Sequence, residues 1–213
     1  MLSRDIPVVP EKSALLFIDV QNFSCSPEGA EYKDEGLSAE EAKEKYRYFF
    51  DQLEIVIPKM RELQAACRNT NIEVIYTVIE SLTKDGRDRS LDYKITGFNV
   101  PKGSWDAKVI NAIKPADDEI VIPKTSSSVF ISTNLHYVLG NLGVKHLIVS
   151  GFLTDQCISS AVRDACDLGY LVTLVTDACA SHSQERHDVS IEHIKGYCRR
   201  MSTHNLINEL SST

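Results

Sequence analysis

Short apolar runs alternating with stretches of helical period constrain this chain more than any other feature. Residues 13–18, 73–79, 119–123, 147–149 and 170–175 are rich in Val, Ile, Leu and Phe, and a weaker run lies near residues 200–202. Continuous apolarity, rather than alternation, marks strands buried on both faces. Between them, residues 38–53 open on Ser38-Ala39-Glu40-Glu41, the pattern of a capping box. Pro58 then interrupts the periodicity, as a kink or as the first position of a second helix. Met60, Leu63, Gln64 and Cys67 share a face before Asn69. Residues 104–113, 130–142, 158–168 and 189–199 are expected to be helical, and a last helix starts at Thr203 and takes in Leu206, Ile207 and Leu210. Strands alternating with helices predict an α/β fold: a three-layer α/β/α, Rossmann-like domain over residues 1–213 with a six-stranded, mostly parallel sheet.

Composition removes several classes of function. The net charge is −7 and no Lys/Arg cluster stands out, since residues 84–89 (KDGRDR) are mixed in sign; no nucleic-acid partner is expected. No apolar stretch approaches the length of a membrane span, and the first residues contain no apolar signal core, so a cytoplasmic protein without membrane contact is expected. The six cysteines form no C-x-x-C pair and read as reduced thiols. Without a Walker loop or a G-x-G-x-x-G turn, no nucleotide cofactor is implied.

Ligands of parallel α/β sheets bind beyond the carboxyl ends of the strands. Asp19, Lys124 and Cys157 each stand at such an end. Asp at that place is also a common turn or capping residue. Cys157 falls in the first turn of a helix, with Thr154 and Asp155 as candidate N-caps. There the positive end of the helix dipole and unpaired N–H groups favour a thiolate and can receive an oxyanion. A free cysteine is otherwise a small buried apolar residue.

FIDVQN around Asp19, VIPKTSSSVF around Lys124 and VSGFLTDQCISSAVRDACDLGY around Cys157 resemble the isochorismatase-like hydrolases. This superfamily of cysteine hydrolases includes nicotinamidases, ureidoacrylate, biuret and N-carbamoylsarcosine amidohydrolases, and isochorismatases. The resemblance covers about residues 13–210. It implies a sheet ordered 3-2-1-4-5-6 and an Asp19–Lys124–Cys157 triad. It also implies a cis peptide between Phe152 and Leu153, and an oxyanion hole from the N–H groups of Leu153 and Cys157. In that strand order Lys124 must reach inward from an outer strand.

Departures from the family pattern narrow the activity. Nicotinamidases carry metal ligands after the second strand, where this chain reads YTVIESLTKDGRDRS without a histidine; no metal and no other cofactor are expected. His182, His187 and His193 are read as loop or surface side chains. Several isochorismatases lack the cysteine, so its presence favours acyl chemistry on an amide. PKGSWDAKVI at residues 101–110 resembles the ureidoacrylate and biuret branch. The expected activity is therefore metal-independent hydrolysis of an amide or ureido bond in a small-molecule substrate, by a homo-oligomer (dimer or tetramer). Isochorismate hydrolysis is the alternative, and a catalytically silent interaction module is a third class. Phe23, Glu80, Trp105, Phe130 and Thr154 are the candidate substrate contacts, with Arg87 and Lys102 as possible carboxylate receivers. Residues 24–37 and 80–102 are the loops expected to set specificity.

Overall fold

The computed structural model describes residues 3–212. Its six strands are β1 (Ser13–Ile18), β2 (Glu73–Ile79), β3 (Ile120–Lys124), β4 (His146–Phe152), β5 (Leu171–Ala180) and β6 (Arg199–Met201). They form one sheet in the order β3-β2-β1-β4-β5-β6, and every neighbouring pair is parallel. Central β1 is buried at every residue. Its alternate side chains feed two cores: Leu15 and Phe17 point to one face, Ala14, Leu16 and Ile18 to the other.

Helices close both faces. On the first, α1 (Arg47–Asn69) contributes Phe49, Leu53, Val56, Met60, Leu63 and Cys67, joined by Leu206 and Leu210 from the terminal helix Thr203–Ser211. On the second lie α2 (Leu135–Asn141), α3 (Ser159–Asp167) and α4 (Gln184–Ile194), which supply Leu135, Leu139, Ala161, Val162, Ala165 and Ile194. Each large aliphatic side chain buried this way contributes roughly 1.5–3 kcal/mol. That packing explains why α1 runs unbroken through Pro58, where the sequence suggests an interruption. The lost hydrogen bond and ring clash cost about 3 kcal/mol, and the buried residues on either side of Pro58 offset them. The capping box at Ser38 and Glu41 forms as read, opening the helix Ala39–Lys45.

Several expectations are corrected. Residues 104–113 are not a helix; only Asn111–Ile113 forms a 3-10 turn. Their backbone pairs instead with the segment after β1: Asn22 N–H donates to Lys108 O at 3.0 Å, Phe23 N–H to Asp106 O at 3.1 Å and Ile110 N–H to Val20 O at 3.1 Å. Tertiary pairing wins over local helical period here. Residues 130–142 divide into Val129–Ser132 and α2, because Thr133 Oγ1 donates to Val129 O and accepts from Leu135 N–H. β5 continues to Ala180, past its apolar run, beside an irregularity in β4 between Val149 and Gly151. Consequently α4 begins at Gln184, capped by Ser183, and not at Val189. Thr154 and Asp155 do not cap α3. They belong to a wide π-type turn, Thr154–Ile158, that precedes it.

Candidate active site

Three backbone features bring the strand-end residues together. Gly151 on β4 has φ 133°, and a Cβ there would lie 2.1 Å from Ile18 O, so only glycine lets β4 pass this close to the end of β1. Asp19, next in the chain, takes a left-handed φ of 57° and donates its N–H to Thr77 O at 2.9 Å. A non-glycine residue in that region is strained, and such residues concentrate at functional sites. After β4 the Phe152–Leu153 peptide is cis. The π-type turn follows, with Gln156 and Ile158 both donating their N–H to Leu153 O. This turn is fastened from outside. Asp155 accepts from Ser181 and from Arg186 Nε at 2.7 Å, and Ser190 Oγ donates to Thr154 O at 3.0 Å.

Lys124 ends β3, two strands away from β1, and its side chain crosses the end of β2 to reach the centre. It has no solvent exposure. Its Nζ lies 2.9 Å from Asp19 Oδ2 and 3.4 Å from Cys157 Sγ, and it also donates to Ser126 O at 2.9 Å and Tyr93 Oη at 3.2 Å. Asp19, Lys124 and Cys157 therefore meet around one ammonium. The Lys124 ammonium and the Cys157 and Thr77 side chains all approach the Asp19 carboxylate, so it stands within reach of the thiol proton.

Burial prevails at the two acidic groups of this cluster. It pushes the Cys157 thiol up to about 12, against the opposing pull of Lys124. Asp19 is also raised by burial, only partly countered by the Lys124 charge. For Lys124 burial acts downward, but Asp19, Cys157 and Tyr93 outweigh it and hold the ammonium protonated. At Cys157 burial therefore favours the neutral thiol, while the Lys124 charge and the helix N-terminus favour the thiolate.

Cys157, 6% exposed, opens into a cavity of about 390 Å³ together with Asp19. Phe23, Ser24 and Glu31 form one wall, from the segment after β1, where the short helices Asn22–Cys25 and Ala30–Lys33 interrupt the loop expected over residues 24–37. Asp92, Tyr93, Thr96 and Phe98 form another, from the loop after β2, where a short helix Leu91–Ile95 replaces the structureless run expected. His182, beyond β5, joins Leu153, Gln156, Phe152, Ile79 and Ser127 in the rest of the lining.

Of the candidate substrate contacts only Phe23 reaches this cavity. Glu80 instead accepts the Gly103 N–H at 2.6 Å and braces the loop. Trp105 is 47% exposed on the pinned segment 105–110. Phe130 stacks on Tyr170 in the second core, 6.1 Å between ring centroids. Thr154 is buried and bonds His187 Nδ1 at 2.8 Å, so it supports the turn without lining the cavity. Arg87 pairs with Asp85 and Lys102 is exposed; neither lines the cavity. Glu31 and Tyr93 went unread, and His182, expected as a loop or surface side chain, lines the cavity instead, because nothing local in a loop sequence says which side chain turns inward. Among the described residues no group of three or more His, Cys, Asp or Glu side chains converges as metal ligands would.

The family model described as the isochorismatase domain matches residues 13–205. The chain belongs to the isochorismatase family. Among relatives of this isochorismatase-family hydrolase, the ureidoacrylate amidohydrolase RutB of Rhizobium rhizogenes is 26% identical over 189 residues, covering 81% of this chain and 72% of its own. The RutB of Agrobacterium fabrum is 27% identical over 192 residues, covering 81% and 78%. A cysteine hydrolase from Pseudomonas syringae superposes with a TM-score of 0.83 at 22% identity, over 97% of this chain and 96% of its own. N-carbamoylsarcosine amidase from Thermoplasma acidophilum superposes with a TM-score of 0.69 at 21% identity, over 90% and 96%. The six-stranded α/β/α architecture is the fold that these structures share with the family hydrolase described here.

Proposed function

We propose that this hydrolase cleaves a C–N amide or ureido bond of a small polar substrate through a thioester on Cys157, without a metal ion. The observation that carries the reading is the meeting of the Asp19 carboxylate, the Lys124 ammonium and the Cys157 sulfur at the cavity wall, at 2.9 and 3.4 Å from one nitrogen. The amidohydrolases among the relatives support an amide or ureido bond as the target. Burial favours the Cys157 thiol and raises the proton affinity of Asp19, so attack begins with transfer of the thiol proton to Asp19. The sulfur bonds to the carbonyl carbon, and the oxyanion is received by the N–H groups of Leu153 and Cys157. Asp19 then returns the proton to the departing nitrogen as the C–N bond breaks. Water opens the thioester, its proton passes to Asp19, and the sulfur leaves and recovers that proton. Lys124 keeps its charge throughout: it holds Asp19 in place and stabilises negative charge on the sulfur. The test is a panel of small amides, ureido compounds and isochorismate, assayed for ammonia and for pyruvate in the presence of a chelator. Chelator-insensitive ammonia or amine release is expected; pyruvate release alone, or activity abolished by the chelator, contradicts the reading.

A further inference from the structure

The same cavity carries an electrostatic pattern that bears on what its substrate must look like. Its wall holds three carboxyl side chains, Asp19, Glu31 and Asp92, and no lysine or arginine. Lys124, the one ammonium beneath it, is fully buried and already paired with Asp19. Asp92 stands exposed at the rim, on the short helix Leu91–Ile95. Glu31 differs from both. Its residue is only half-buried, yet Oε2 is shut off from solvent and has no hydrogen-bond partner. Burial and the neighbouring Glu35 push its carboxyl up to about 8. A buried acceptor without a donor is costly, and the side chain that carries this one lines the substrate cavity. On another wall His182 repeats the pattern: its Nε2 is likewise buried and unpartnered. Burial lowers its pKa, so it faces the cavity as a neutral imidazole and supplies no fixed cation.

We propose that Glu31 is the specificity residue of this site, receiving a cationic nitrogen group, an ammonium or amidinium, at the far end of the amide or ureido substrate, and that the cavity rejects substrates carrying a carboxylate. The inference rests on the amide-hydrolase reading for the identity of the scissile bond, but its charge preference follows from the wall alone. A cation supplies Glu31 with both donor and counter-charge. A carboxylate in the same place meets Asp92 and, above the pH of about 8 to which burial lifts its carboxyl, an ionised Glu31, with no wall cation to offset them. By the same reasoning the dicarboxylate isochorismate is a poor fit.

Three ureas of similar length separate the cases: (2-aminoethyl)urea carries an ammonium, 3-ureidopropionate a carboxylate and butylurea neither. Their dissociation constants for the Cys157→Ala protein, which binds without turnover, are measured by ligand-observed NMR at about pH 8.5, above the value of about 8 to which burial lifts Glu31. The ammonium urea should bind at least about ten-fold more tightly than the carboxylate urea, and Glu31→Gln in the same background should reduce that ratio to below about three-fold. A carboxylate urea that binds as well or better overturns the proposal. So does an ammonium urea that does not bind, or a ratio that Glu31→Gln leaves unchanged. Because no chemistry occurs in these titrations, their failure is distinct from failure of the thioester reading, which is decided by turnover and adduct formation in the wild-type protein.

Discussion

Lys124 has the most at stake of any single residue, because three groups from three different elements depend on its charge. Removing it leaves the Asp19 carboxylate buried with no counter-ion, and breaking a buried pair typically costs about 3–5 kcal/mol. Lys124→Met is therefore expected to lower stability by about that amount, and Asp19→Asn added to it should recover much of the loss, measured as a double-mutant cycle in chemical denaturation. Asp19→Asn alone should keep the fold and reduce turnover by about 10²–10⁴-fold, the usual contribution of a general acid–base group. At this scale the strand-end residues were legible, since a polar residue terminating an apolar run is a local signal. The residues that loops turn inward were not. Tyr93 faces Lys124 because Ser90 caps its helix and the cavity wall closes over it, and neither fact is visible in LDYKI. Glu80 reads like a site residue, yet it spends its carboxylate on the Gly103 N–H.

At the scale of elements, β1 and β4 are the pair on which the site depends. The register sets Ile18 beside Gly151, and Asp19 leaves one strand where the turn bearing Cys157 leaves the other. Gly151→Ala puts a methyl group 2.1 Å from Ile18 O at a φ that L-residues avoid. The expected loss is roughly 3 kcal/mol or more of stability, read from the thermal midpoint, together with reduced activity as Asp19 moves. An unchanged midpoint contradicts the close packing described. The strands themselves were legible, β2 to its bounds, because their apolar runs owe little to distant contacts. The expected helix over residues 104–113 failed because partners far along the chain, Val20 to Phe23, compete for its backbone. A helical period records only local preference.

The whole molecule places its chemistry where the sheet order turns back, between β1 and β4, while β3 and β6 lie at the opposite edges. That order requires a lysine from an outer strand to serve the centre, a relation that the strand order implied by the resemblance carries and that no local stretch of sequence shows. Global stability should also carry a specific acid dependence. His146 is buried and exchanges a hydrogen bond with Thr173 at 2.8 Å. Burial first, then the Arg199 charge, lowers its pKa from 6.5 to about 4. Since the unfolded chain binds this proton more readily, the contribution is complete above pH 6.5 and is lost as pH falls toward 4. At about 1.4 kcal/mol per pKa unit, on the order of 2 kcal/mol should be gone by pH 5. Unfolding free energies of wild type and His146→Gln should therefore converge on acidification between pH 7.5 and pH 5; parallel curves contradict the assignment.

The central claim is that the Cys157 sulfur bonds to the substrate carbonyl, and mass spectrometry of acid-quenched turnover mixtures tests it most directly. A substrate identified by ammonia release should leave an acyl adduct on the peptide carrying Cys157, absent from Cys157→Ala, which should show no turnover above background. Hydrolysis at the wild-type rate by Cys157→Ala, or an adduct found only on another cysteine, would contradict the account.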